Sequence, residues 1–268
     1  MPELADDLRQ ELARLKTPGF AIDLDSGVLR AAEQPSEDCL RADPLRIMRV
    51  LRCTATYPIA IEGSLALALH AQRGRLAMVP PTAVRDQLVP LLGGACVLDV
   101  LLEYGDVLAI WVPEIGVAQG FDQRTPWHVY DVWEHTARAL ALAGSIDPLV
   151  RLALLFHDLG KPAAFSQDAT GQGHYFGHPR LGGQIATRRM QALRFAPDCT
   201  AQVAELVALH LEALPPEQAE RWLFRLGADQ LRRLLEVKHA DVLAHSPATQ
   251  AARLAELAAF EEALAAAG

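Results

Sequence analysis

The stretch that most constrains the fold is Leu149–Lys161, LVRLALLFHDLGK. From Leu149 to Phe156 almost every position is apolar, so a helix there is apolar on most of its circumference and belongs inside a domain. It runs into His157 and Asp158, and Gly160 is expected to stop it, because glycine takes the left-handed conformation that closes helices. A histidine and a carboxylate at the end of a buried helix are costly unless something pairs with them. A divalent cation accepts imidazole nitrogen and carboxylate oxygen together, and is the expected partner.

A chain of 268 residues has room for one large domain or two smaller ones, and 51% hydrophobic residues supply a sizeable core. Aromatic residues are only 6%, while alanine and leucine dominate, which favours helix over sheet. The net charge of −8 gives no global basic field for nucleic acid, although a local arginine cluster remains open. Cys39, Cys53, Cys96 and Cys199 are far apart with no C-x-x-C pair, as expected for reduced thiols in the cytoplasm. The amino terminus, MPELADDLRQELARLK, is charged and amphipathic, unlike a signal peptide. The most apolar long stretch, Leu91–Ala118, is broken by Asp99, Glu103, Asp106 and Glu114, so no membrane span is expected.

Leucines at 4, 8, 12 and 15 predict a short helix over 3–15, and Phe20–Leu24 with Val28–Ala32 a small hairpin through Asp25-Ser26-Gly27. Asp43 and Pro44 open a helix carrying Arg46, Arg49 and Arg52 along one side. Such a row suits phosphate or acidic side chains, or is simply a solvated face. Further helices are expected over 63–79, 82–93 and 97–110. The loop Pro113–Trp127 is the best boundary, dividing the chain into 1–120 and 121–268. Beyond it come helices over 127–143, 147–158, 179–194, 199–211, 215–226, 228–245 and 247–267. The fold class is all-α, with at most a small N-terminal hairpin.

Eight of the nine histidines lie at or beyond His128, which places the chemistry in the second half. His135 shares a helix face with Val132, Ala139 and Leu142, and Asp241 shares one with Leu234 and Val237. An aspartate on an apolar face is the most informative residue of the set, since burying an unpaired carboxylate is prohibitive. Together His135, His157, Asp158 and Asp241 offer two nitrogens and two oxygens, suited to Mg, Mn, Fe, Co, Ni or Zn. His178 precedes Pro179 at a helix start, four residues after His174 in the turn GQGHYFGHP. His210 lies on the face of Val203, Leu206 and Val207. Either His178 or His210 suits a second metal or a substrate phosphate. His70, His239 and His245 read as ordinary core or surface histidines.

These residues carry a resemblance. His135, His157-Asp158 followed by Gly160-Lys161, and the distal Asp241 resemble the HD superfamily of metal-dependent phosphohydrolases, with the spacing H…HD…H…H…D over 128–241. Upstream, GVLR (27–30), ADPLRIMRVLR (42–52), RDQLVPLL (85–92) and HVYDVWEHT (128–136) look like the neck and HD regions of bacterial tRNA nucleotidyltransferase and poly(A) polymerase relatives. The resemblance runs over about 22–241. The catalytic head of that family, with its Gly-Ser turn and D-x-D pair, would precede residue 22, so nucleotide addition is not expected of this chain alone.

The resemblance implies a helical neck or body for 1–120 and a phosphohydrolase domain for 121–268. In its neck motif E-D-x-x-R, which pairs with the incoming base, Asp43 and Arg46 match and Ala42 replaces the glutamate; Arg49 follows on the same row. The expected activity is hydrolysis of nucleotide or RNA-end phosphates, with Asp158, Lys161, His178 and His210 in catalytic roles. The alternative is a non-catalytic module that binds tRNA, or a separate nucleotidyltransferase head, in a split enzyme.

Overall fold

In the computed structural model, residues 20–23, 27–31, 36–125 and 129–267 are described. The expected helix over 3–15, the turn residues Asp25 and Ser26, and the stretch 126–128 lie outside them. The chain forms two compact units, Met1–Gly116 and Val117–Gly268.

The first unit opens with antiparallel strands β1 (Phe20–Asp23) and β2 (Val28–Ala31), and β3 (Ala60–Ile61) adds a short parallel pairing to β2. Five helices follow the hairpin: α1 (Ser36–Ala42), α2 (Leu45–Thr56), α3 (Gly63–Gln72), α4 (Pro81–Leu92) and α5 (Val97–Leu108). The helix expected over 63–79 is α-helical only to Gln72 and finishes as a 3-10 segment, Arg73–Met78. Asp43 opens α2 by accepting the Leu45 N–H at 3.1 Å. A side chain on Gly94 would collide with the carbonyl of Ala55, so this glycine lets the start of α5 approach the end of α2.

After α6 (Glu114–Ala118) the second unit is a helical bundle: α7 (Val132–Leu142), α8 (Pro148–Phe156), the single turn α9 (Lys161–Ala164), α10 (His178–Ala192), α11 (Pro197–Leu209), α12 (Ala219–Leu243) and α13 (Pro247–Ala267). The break expected between 226 and 228 is a kink inside α12, where Gly227 takes φ 74°. A two-residue hairpin, β4 (Ser166–Gln167) with β5 (Gly173–His174), was not foreseen, because strands this short carry no periodic signal. Mostly helical architecture with a few short strands agrees with the fold class read from the sequence.

The buried helix α8 sits at the centre, against α7, α11 and α12. Asp147 fixes its start: one carboxylate oxygen accepts the Leu149 N–H at 2.9 Å, and the other pairs with Arg233 of α12 at 2.8 Å. Arg151, the one charge within the apolar run, is 7% exposed and donates to the carbonyls of Leu140, Ala143 and Ser145. It thus serves the end of α7, whose last carbonyls have no helical partner. Leu142, expected on the buried stripe of α7, is 47% exposed. In the last turn the buried positions are Leu140 and, just past the helix, Ala143, and Leu142 stands on the other side. Arg151→Ala should therefore cost about 3 kcal/mol, read as a lower urea midpoint, whereas Leu142→Ala should stay within about 0.5 kcal/mol.

Candidate metal centre

The turn that leaves α8 builds the site. His157 and Asp158 follow Phe156 directly, and the chain keeps a right-handed course through Gly160, which has φ −78° and not the left-handed value expected for a stop. The glycine is needed for approach instead. A Cβ at 160 would fall on the carbonyl oxygen of His178 and lie 2.8 Å from the Gly182 nitrogen. Gly182 likewise could not carry a side chain, which would meet Val207 at 2.9 Å and the carbonyls of Phe156 and His157 at 3.1 Å. These two glycines bring α10 down onto the 156–160 turn, and His178 with it.

The side chains converge in three ways. His135 Nε2 lies 2.9 Å from Asp241 Oδ1, 3.4 Å from Asp158 Oδ2 and 3.3 Å from His157 Nε2. His157 Nε2 in turn lies 3.4 Å from Asp158 Oδ2 and 3.6 Å from Asp241 Oδ1. On the far side of the same carboxylate, Asp158 Oδ1 faces His178 Nε2 at 3.3 Å and His210 Nε2 at 3.7 Å. Lys161 Nζ donates to Asp158 Oδ2 at 2.6 Å and to Gln123 Oε1 at 2.7 Å. All these groups are buried.

The orientation of each ring is set by the backbone. His157, His178 and His210 donate from Nδ1 to the carbonyl three residues earlier, at 2.7, 2.8 and 2.7 Å, and His135 donates to Ala244 O at 3.3 Å. A ring that spends its proton on Nδ1 presents a lone pair at Nε2. The Nε2 atoms of His178 and His210 are buried with no hydrogen-bond partner. Each orphan costs about 1–3 kcal/mol, a large share of the stability of any domain. In the other group, lone pairs face one another at 2.9–3.6 Å and repel unless a proton or cation lies between. That is the spacing of ligand atoms bonded to one ion at about 2.0–2.2 Å. The residues present fit divalent metal.

Charge in the cluster is correspondingly displaced. Burial opposes ionisation of Asp158, but Lys161 and His157 outweigh it and hold the carboxyl well below the usual range. Without a cation, burial of Asp241 is overcome by a proton shared with the facing imidazoles, first His135 and then His157, so its carboxyl is also held well below the usual range. Burial, helped by His157, pushes His210 down to about 3, which leaves its ring neutral and able to coordinate.

Three residues of the site escape sequence reading. His245 joins it: its ring stacks on His135 at 5.2 Å and its Nε2 lies 3.4 Å from Asp241 Oδ1. Arg253 Nη1 faces its Nδ1 at 3.3 Å, and a guanidinium can only donate, so the ring proton sits on Nε2 and points at Asp241. His245 thus orients the carboxylate. The four-residue spacing from Asp241 was the available signal. Gln123 ties Lys161 to Tyr130 O, and Lys238 donates to the carbonyls of His210 and Glu212 at 2.7 and 2.6 Å, fixing the end of α11. No spacing in the sequence announces either contact.

Asp43, Arg46 and Arg49 belong to the first unit and form their own group. Asp43 Oδ2 pairs with Arg49 at 3.0 Å and lies 3.7 Å from Arg46 Nε, while Arg46 also donates to Cys39 O at 3.1 Å.

A helical bundle that draws five histidines and two aspartates into one buried cluster is built to hold a divalent metal. Comparison with known proteins gives it a family: residues 132–245 match the HD domain, a metal-binding domain. The likeness extends beyond it. The chain is 34% identical to the A-adding tRNA nucleotidyltransferase of Deinococcus radiodurans, over 99% of this chain and 66% of that protein. It is 33% identical to the CC-adding tRNA nucleotidyltransferase of Thermus thermophilus, over 78% of this chain and 51% of that protein. The crystal structure of the Bacillus stearothermophilus CCA-adding enzyme in complex with CTP shares the fold, with TM-score 0.57 at 18% identity, over 90% of this chain and 51% of that one. The chain thus carries an HD domain and is similar to tRNA nucleotidyltransferases, spanning 66% and 51% of the length of the two sequence relatives. Among the described residues, no helix is long and apolar enough to cross a membrane.

A metal held by these residues should stabilise the folded chain. At an ion concentration a hundred times Kd, linkage supplies about 2.7 kcal/mol, or roughly 5–10 °C in Tm for a domain of this size. Differential scanning fluorimetry with added Mn should show that rise in the wild-type protein and lose it in Asp241→Ala.

Proposed function

We propose that the second unit is a metal-dependent phosphohydrolase acting on the phosphates of nucleotides or RNA ends. The observation that carries this reading is the division of Asp158: one oxygen faces His135 and His157, the other faces the orphaned nitrogens of His178 and His210. His135, His157, Asp158 and Asp241 hold the metal, whether Mg, Mn, Ni, Co, Fe or Zn. His178 and His210 face the cleft as acceptors, which suits a second cation better than a phosphate oxygen. A bound divalent ion supplies a water acidified towards neutrality and a Lewis acid for phosphoryl oxygen.

The chain's own groups do the rest. Asp158 is kept ionised by Lys161 and shared between the two histidine pairs, so it fixes their separation. The Lys161 ammonium, clamped by Gln123, holds positive charge beside the carboxylate where the substrate's own negative charge arrives. The cleft over the cluster has a volume of ≈ 610 Å³; beside the carboxylates of Asp158, Asp241 and Glu212 its lining carries Lys161, Arg180 and Arg253, cations suited to a phosphate ester.

A second reading is favoured by one finding: the likeness to tRNA nucleotidyltransferases covers 99% of the chain and is not confined to the HD domain. In that reading the chain binds tRNA, or a separate nucleotidyltransferase head, without hydrolysing anything. Asp43, Arg46 and Arg49 would then serve nucleotide or RNA, at the expense of their present ion pairs.

Hydrolysis of bis-p-nitrophenyl phosphate and 2′,3′-cyclic AMP with Mn, Ni, Co or Mg decides between the two. Asp158→Ala should lower turnover by at least about a thousandfold with an unchanged helical circular dichroism spectrum. Turnover surviving in that variant with metal still bound would defeat the assignment to Asp158, and salt-dependent tRNA binding without turnover in the wild type would favour the second reading. Metal analysis should also find fewer ions per chain in a His178→Ala, His210→Ala double variant than in the wild type.

A further inference from the structure

We propose that Phe176, backed by His174, is a platform on which the base of a nucleotide stacks at the mouth of the metal cleft. The inference rests on the phosphate-binding reading of that cleft and adds the recognition of the part of the substrate that does not react.

Phe176 is 82% exposed. Exposure of one apolar side chain is ordinary by itself, but this ring is not loose. It stacks on the His174 ring at 5.5 Å and 7° from parallel. His174 Nε2 is in turn held by Asp168 Oδ2 at 2.9 Å. Asp168 is fixed by the Thr170 hydroxyl at 2.6 Å and by the N–H groups of Thr170 and Gln172 at 2.9 and 3.1 Å. The β4–β5 hairpin, otherwise without a role, is therefore a bracket that presents two parallel aromatic rings. Ordering them before a ligand arrives lowers the entropy lost on binding.

Its position joins it to the metal centre. His174, Phe176, His178 and Arg180 all line the same cleft. His178 is 4% exposed, and its unpartnered Nε2 lies 3.3 Å from Asp158. Phe176 and His178 are two residues apart, so their Cα atoms lie within about 7.6 Å of each other. A base lying on Phe176 thus leaves its phosphate inside the mouth of the metal cleft, beside exposed Arg180 on the same wall. Every nucleobase has a π-face, so such a platform selects nucleotides over simple sugar phosphates without reading sequence.

The test compares binding of AMP and ribose 5-phosphate, which differ by the base, to the Mn-loaded full chain by isothermal titration. Phe176→Ala should narrow the preference for AMP about tenfold, the scale of base–aromatic stacking, and Phe176→Trp should restore it. The indole emission gained in Phe176→Trp, relative to Phe176→Leu, should be quenched by AMP and not by ribose 5-phosphate. A wild-type protein that does not prefer AMP, an unaltered preference in Phe176→Ala, or no quenching overturns the platform. Nucleotide hydrolysis with an unaltered preference removes the platform and leaves the hydrolase. A shifted preference in a chain without turnover removes the hydrolase and leaves the platform.

Discussion

The histidine cluster of the second unit is arranged around one buried carboxylate. Asp158 meets Lys161 at 2.6 Å, and its two oxygens face two different pairs of histidines. A group so deeply buried keeps its charge only while cations and donors surround it. Removing it would leave an ammonium and two sets of lone pairs without a shared partner. The arrangement is more expensive than an apolar core of the same volume, and a bound divalent cation would offset that cost.

Backbone geometry makes the arrangement possible. Three of the histidines sit where a helix begins or ends and bond the carbonyl three residues back, so helix termini, and not long flexible side chains, aim the lone pairs. Lys238 and Arg151 hold two of the helix ends in place from neighbouring helices. Gly160 and Gly182 let backbones pass where any side chain would collide. The centre is therefore rigid on the side of its ligands, while the wall built by the β4–β5 hairpin and Phe176 faces solvent.

His135, His157, Asp158 and Asp241 were legible because a charged or imidazole group on an apolar helical face contradicts its surroundings, and the contradiction shows in a single sequence. His178 and His210 were legible as candidates, yet only the structure shows that both give Nδ1 to the backbone and turn Nε2 towards Asp158. His245 passed as ordinary because nothing local marks it; only the stacking on His135 and the donor from Arg253 give it a part. Gly160 was read as a helix stop from the commonest use of glycine near a helix end, whereas its use here is set by His178, eighteen residues further on.

What the sequence by itself determined is the local and periodic part: mostly helical folding, the helix start at Asp43, an interruption at Gly227, and a four-residue set suited to a divalent cation. These follow from nearest-neighbour sterics and from the 3.6-residue period, which one chain segment carries within itself. Tertiary structure alone decided that Asp158 is shared between two histidine pairs, that His245 orients Asp241, that Gln123 and Lys238 clamp the cluster, and that Phe176 stands over the cleft on His174. Those contacts join residues far apart in the chain, or rest on which atom of a ring points inward, and no local pattern encodes either.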